Sequence, residues 1–216
     1  MKAQTLAVAA SMLMASSSLM AQAAAAPAAA AARPAGWHVR FDRAGTADSS
    51  MKLDQMGPGW HVTTNGRGSG IAWKDGVNAT GNFRAEAETV LFPAAGDHLE
   101  GFGMIVGGHD LDGANQTYYY FLLRKDGQFT IKHRAGTAVH EVLAWTPSDA
   151  IVKQAGQEQA HNVLAVEATA DSVRFLVNNQ RVHAMARAGA DVTGAVGLRV
   201  NHGLSVHVAR LAVAQH

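Results

Sequence analysis

Residues 116–134 read QTYYYFLLRKDGQFTIKHR, and the placing of one turn in them decides the fold. The run is rich in aromatic and β-branched residues and breaks at Asp126-Gly127, the composition of a β-hairpin. A two-residue turn would pair Arg124 with Phe129 and set a charge among apolar side chains. A three-residue loop, Lys125-Asp126-Gly127 with Gly127 left-handed, shifts the register by one. Phe121, Leu123, Phe129 and Ile131 then share one face. Tyr118, Tyr120, Arg124, Lys132 and Arg134 share the other, with Leu122 and Thr130. This register separates apolar from polar and is the one predicted.

The same pattern extends in both directions. Short alternating segments punctuated by Gly, Asn and Asp predict strands at 60–64, 70–74, 82–92, 101–109, 116–125, 128–134 and 139–145. Further strands are predicted at 162–169, 172–178, 181–185, 195–201 and 204–213, and a first one at 37–42. Many short strands between turn signals indicate an all-β, two-sheet antiparallel sandwich. A helical turn is expected around 147–154, capped by Ser148 and Asp149. Phe102, Met104, Val106, Leu198 and Val200 point to the core; Gly101, Gly103, Gly107, Gly197, Arg199 and Asn201 point away. Interior strand glycines leave room either for a ligand or for a covering loop. Along 82–92, Phe83, Ala85, Ala87 and Leu91 form one face and Arg84, Glu86 and Glu88 the other, so the expected picture is a sheet with one apolar face and one face of glycines, tyrosines, arginines and these two glutamates.

The N-terminus reads differently. Lys2 followed by the apolar run from Leu6 to Met20 and the small-x-small site Ala21-Gln22-Ala23 predicts a secretory signal peptide over 1–23. Residues 24–35 are almost all Ala and Pro and read as a flexible tether. Residues 36–216 then form a single sandwich domain, secreted or periplasmic, with no membrane segment in the mature form. The 216-residue chain has no cysteine, so its stability is expected from burial alone. A formal net charge of +1 gives no bulk attraction to nucleic acid.

Two segments carry a resemblance. Phe175-Leu176-Val177-Asn178-Asn179-Gln180-Arg181-Val182 and Gly194-Ala195-Val196-Gly197-Leu198-Arg199-Val200 resemble the late strands of concanavalin A-like lectin/glucanase sandwiches. They look closest to bacterial exported 3-keto-disaccharide hydrolase-like domains. The resemblance spans roughly 57–213 and implies a jelly roll whose concave sheet handles sugars. Laminarinase-type members carry an E-x-D-x-x-E strand; here only Glu86-Ala87-Glu88 matches, with Val90 and Leu91 where acids would continue.

Several residues are therefore candidates for chemistry. Glu86 and Glu88 share a face with Cα atoms roughly 6.5–7 Å apart at strand rise, a spacing open to general acid/base work on a glycoside or to a plain solvated face. Tyr118 and Tyr120 are expected to stack on sugar rings ahead of Trp60, Trp73 and Trp145. Arg124, Lys132, Arg134, Arg199 and Asn201 would bond hydroxyls or carboxylates. In the loop 109–115, Asp110, Asp112 and Asn115 partly match a calcium loop, and Asp and Gly there also simply make turns. His109 beside them is a catalytic candidate or a loop cap. No other cofactor is indicated: H-E-x-x-H, G-x-S-x-G, Walker and dinucleotide motifs are missing from the sequence. Three functions follow as expectations: a carbohydrate-binding sandwich, a glycoside hydrolase acting on a glycan or 3-keto-glycoside, and a protein-interaction module.

Overall fold

The computed structural model describes residues 33–93 and 99–216. The signal-peptide segment and most of the tether lie outside the described residues. Of the tether, 33–35 lead into the first strand, where the Trp37 amide donates to the Pro34 carbonyl at 3.1 Å. No helix among the described residues is long and apolar enough to cross a membrane.

Two seven-stranded antiparallel sheets face each other. The front sheet runs β1 (Trp37–Phe41), β4 (Gly70–Ala79), β13 (Gly194–Val200), β6 (Phe102–His109), β7 (Thr117–Leu123), β8 (Gln128–Ala135), β9 (Ala138–Pro147). The back sheet runs β12 (Gln180–Ala186), β11 (Ser172–Val177), β10 (Ala160–Ala168), β5 (Phe83–Leu91), β14 (Ser205–Gln215), β3 (Gly59–Thr64), β2 (Met51–Met56). The last two strands of the chain thus lie inside the sheets, β13 between β4 and β6 and β14 between β5 and β3.

Alternation fills the space between the sheets. Phe102, Met104, Phe121, Leu123, Phe129, Ile131 and Leu198 from the front meet Phe83, Ala85, Leu164, Val166 and Phe175 from the back. Phe121 sits edge-on to Phe129 at 6.0 Å and to Phe175 at 5.4 Å, so one ring joins both layers. Edge-to-face geometry adds attraction beyond the area buried.

The β7–β8 hairpin has the predicted register, with Leu123 opposite Phe129 and Tyr118 opposite Arg134. Gly127 is left-handed at φ +85°, and its amide closes the turn on the Arg124 carbonyl at 3.1 Å. At the β11–β12 hairpin Val177 faces Gln180, and Asn178 and Asn179 both hold positive φ. Asn is the non-glycine residue that tolerates this best.

Two sequence expectations fail. Strand β2 was not predicted, because only Met51 and Leu53 alternate as buried residues and the rest of its side chains are exposed. The segment 147–154 forms no helix. Ser148 Oγ accepts the Ala150 amide at 3.2 Å, one turn's worth of capping. Asn162 then takes the next backbone groups: its side chain accepts the Val152 amide at 2.8 Å and donates to the Val152 carbonyl at 2.9 Å. Asn178 donates to the Ala150 carbonyl at 2.8 Å and to Asn162 at 3.0 Å. Two asparagines replace helical bonding with a stitch onto the back sheet.

Two stability measurements check this account. Gly127→Val is expected to cost on the order of 1–2 kcal/mol in urea unfolding, because a β-branched residue resists positive φ, with Gly127→Asn milder; equal and negligible losses would show that the turn does not need a left-handed residue. Asn162 is 1% exposed, so Asn162→Ala strands buried backbone groups and is expected to cost about 2–3 kcal/mol. A loss below about 0.5 kcal/mol would mean that water replaces the stitch.

Candidate functional site

The outer face of the front sheet is not an open surface. Ile71, Trp73, Ile105, Tyr118, Tyr120 and Leu122 form a second buried cluster there, closed by Leu111 from the loop after β6. Tyr118 is 1% and Tyr120 7% exposed, so neither offers the open stacking face expected of it. Burial pushes both phenol pKa values up, which keeps them neutral. The glycine question is answered at Gly101: a Cβ there would lie 3.0 Å from the Trp145 ring. The space is filled by the protein itself.

Through this cluster runs one buried charge. Arg199 on β13 is 8% exposed and meets Asp42, just past β1, in a two-pronged pair: Nη1 to Oδ1 at 3.0 Å and Nη2 to Oδ2 at 2.6 Å. Its guanidinium carbon lies 4.8 Å from the Tyr120 ring centre. Burial works against the charge, but the hydrogen bonds and charge of Asp42 outweigh it and raise the Arg199 pKa.

Asp42 also lines two neighbouring pockets, which together make a two-lobed groove. The first lobe, about 430 Å³, is lined by Arg40, Asp42, Ile71, Gln116, Tyr118 and Arg134 among others. The second, about 410 Å³, is lined by Asp42, Arg43, Arg67, Glu100, Arg199, Asn201 and others. Arg199 Nε and Asn201 Oδ1 are buried without a hydrogen-bond partner. Arg40 holds the wall of the first lobe, donating from Nη1 to the carbonyls of Leu111 at 2.8 Å and Gly113 at 2.5 Å.

The residues singled out in the sequence separate into groups. Tyr118, Arg134, Arg199 and Asn201 line the groove. Tyr120 lies behind Arg199. Arg124 instead braces its own turn, bonding Asp126 at 2.7 and 3.1 Å with its guanidinium 4.5 Å from the Trp145 ring centre; the Arg124 bonds hold the Asp126 carboxyl below its usual range. Lys132 pairs with Glu141 at 3.5 Å across β8–β9. Trp60 lines a separate pocket of about 240 Å³, with Trp37 and Lys74.

Glu86 and Glu88 belong to another surface altogether. They lie on β5, in the back sheet, and point away from its core face. The expectation that acids and tyrosines share one sheet is corrected: alternation was right, but β5 and β7 belong to different layers. Arg84 donates to Glu86 at 3.0 and 2.8 Å and to Glu167 at 2.5 Å, and Arg210 also donates to Glu86. Glu88 meets His161 at 3.1 Å. This is a cross-strand ion-pair ladder, with its acids engaged by cations.

In the loop after β6, Asp110 holds φ +47° and its Oδ2 accepts the Asn115 amide at 2.9 Å. That bond uses the Asn115 backbone N–H; Asp112 is exposed, and the Leu111 and Gly113 carbonyls face Arg40. Among the described residues no three His, Cys, Asp or Glu side chains are grouped to hold a metal. His109 pairs with Asp191 at 3.2 Å, not with the loop aspartates.

Sequence reasoning missed Arg40, Asp42, Arg43, Arg67 and Gln116 as site residues. For the first two the signal was present. Along Trp37-His38-Val39-Arg40-Phe41-Asp42 strict alternation puts Arg40 and Asp42 on the outer face once the strand is placed at the sheet edge.

No family model and no curated protein matches the chain. Solved structures do. A carbohydrate-binding module, CBM66, from Bacillus subtilis is similar at TM-score 0.58 and 11% identity, over 83% of this chain and 96% of that one. The Emp46p carbohydrate recognition domain, potassium-bound form, is similar at TM-score 0.57 and 12% identity, over 82% and 88%. A family 16 endo-glucanase from Bacteroides ovatus is similar at TM-score 0.55 and 9% identity, over 82% and 94%. At such identities likeness speaks for architecture alone, and the architecture is that of the concanavalin A-like lectin and glucanase sandwich.

Proposed function

We propose that this chain is an exported, secreted or periplasmic, carbohydrate-binding protein that holds a saccharide in the two-lobed groove beside Arg199 and Asp42. One observation carries the reading: the two lobes are lined by side chains that donate and accept, Arg40, Gln116 and Arg134 in the first and Arg43, Glu100 and Asn201 in the second. A sugar hydroxyl donates and accepts at once, so a saccharide suits a groove that presents both kinds of group. The volumes fall within the roughly 300–1,000 Å³ of small-ligand sites. Sugar proteins with this architecture support the class of ligand. Kinship with 3-keto-disaccharide hydrolase-like domains rests on 175–182 and 194–200 alone.

Binding is favoured over hydrolysis by the state of the acids. A glycosidase needs two carboxylates flanking the scissile bond. In the groove Asp42 is held at both oxygens by Arg199, and Glu100 lies 3.5 Å from His202. Glu86 and Glu88 face the other side of the sandwich.

Calorimetric titration of saccharides identified on a glycan array tests the site. Asn201→Ala is expected to weaken binding about five- to tenfold, the worth of one hydrogen bond. Its backbone bond to Gly101 does not involve the side chain and should keep the strand in place. Glu86→Gln, on the back sheet, should bind like the parent. Loss on Glu86→Gln with Asn201→Ala unchanged would move the site to the other face, and release of sugar product would make the protein an enzyme. For export, the intact mass of secreted protein should place the first residue near Ala24; a mass that includes Met1 would remove the leader.

A further inference from the structure

We infer that the saccharide is acidic and that its carboxylate sits in the first lobe, between Arg40 and Arg134. This rests on the groove being the sugar site and adds the class of sugar.

The argument is one of unmatched charge. Three ionised side chains line the first lobe: Arg40, Asp42 and Arg134. Asp42 is neutralised, because both of its oxygens accept from Arg199. Among the described residues, Arg40 and Arg134 hydrogen-bond only to main-chain carbonyls. Arg40 Nη1 reaches Leu111 and Gly113, and Arg134 Nε reaches Gly136 at 2.9 Å. Carbonyl bonds aim a guanidinium but leave its charge uncompensated. Neither arginine has a carboxylate partner among the described residues, unlike Arg124 and Arg199, which have one each, and Arg84, which has two. Both are half-buried rather than extended into solvent.

Both arginines also act on the same group. Tyr118, on the floor of the lobe, is within electrostatic reach of Arg40, Arg134, Arg199 and Asp42 together. Its phenol stays neutral, so it cannot supply the missing negative charge. Arg40 Nε and Nη2 and Arg134 Nη1 and Nη2 remain to donate. Paired guanidinium forks match the planar oxygens of a carboxylate better than any single hydroxyl. The pattern is local: the whole chain carries only +1. It continues into the second lobe, where the exposed Arg43 and Arg67 outnumber the one further carboxylate, Glu100, so a chain bearing successive carboxylates would meet a cationic balance along its length.

The experiment uses uronate oligomers (galacturonate, mannuronate and glucuronate-containing), each beside its carboxyl-reduced neutral counterpart, titrated into the full-length protein at low and high salt. At least one acid should bind about tenfold or more tighter than its reduced form, and the gap should narrow at high salt as the charges are screened. Arg134→Gln should bring the acid down to the level of the reduced sugar while leaving the reduced sugar unchanged. Arg40→Gln, checked for an unaltered melting temperature, should act in the same direction. Preference for neutral sugars, or acid binding that survives both substitutions, overturns the inference and leaves the sugar-binding groove standing. Inorganic sulfate competing as well as the uronate would mean an anion site without sugar recognition and overturns it too. Silence of every acid and neutral sugar at millimolar concentration removes both readings.

Discussion

A guanidinium inside an apolar cluster must be paired or pay several kcal/mol in lost hydration, and Arg199 is in that position. Its partner comes from the far end of the chain: Asp42, separated by 157 residues in sequence, sits at the end of the edge strand β1. The pairing places that end of β1 against the middle of the front sheet. Arg40, two residues earlier on the same face, then reaches the loop after β6 and holds its carbonyls. The charge of Arg199 thus organises the groove walls without facing a ligand with its own free fork. Arginine suits this role better than lysine, because a planar fork satisfies both carboxylate oxygens at once.

The sandwich carries apolar layers on both sides of the front sheet, and that explains where sequence reading succeeded and where it failed. Alternation is local, so the face shared by Tyr118, Tyr120 and Leu122, and the opposite face of Phe121 and Leu123, could be read from the chain. So could the left-handed residue at Gly127. Alternation cannot say what lies above a face. Tyr118 and Tyr120 looked like a platform because the hairpin register sets them opposite Arg134 and Lys132; Leu111 joins them in one buried cluster, from a loop whose carbonyls Arg40 holds. Assignment of a strand to a sheet is equally non-local. Glu86 and Tyr118 are each on an outward face, but of different layers, and nothing within β5 or β7 distinguishes the layers. Strand β2 was illegible for a simpler reason, since an edge strand with two buried side chains leaves almost no periodic signal.

The back sheet's outer face is a different surface from the groove. Its ladder sets Arg84 and Arg210 against Glu86, Glu167 and Glu88, with His161 also beside Glu88. The half-exposed pairs at its rim are worth little individually. Arranged across neighbouring strands, they still disfavour a two-residue slip of β10 along β5, which would set Glu167 opposite Glu86 instead of Arg84. The front groove has the opposite balance, with arginines left over. One side of the molecule is electrostatically closed and the other open.

The order of the strands also bears on how the chain reaches this state. β13 stands between β4 and β6, and β14 between β5 and β3, so each sheet has a gap that only the last stretch of chain fills. Local hairpins such as β7–β8 and β11–β12 can form early, but neither layer is continuous until the segments from Gly194 to Val200 and from Ser205 to Gln215 arrive. Closure therefore waits on contacts distant in sequence, whose loop entropy must be met before they contribute, and such topologies fold slowly. During synthesis the polypeptide remains a set of incomplete sheets until β13 and β14 have been made. Until residues 194–215 are in place, the edges of β4, β6, β5 and β3 that they will cover stay open to pairing with other strands.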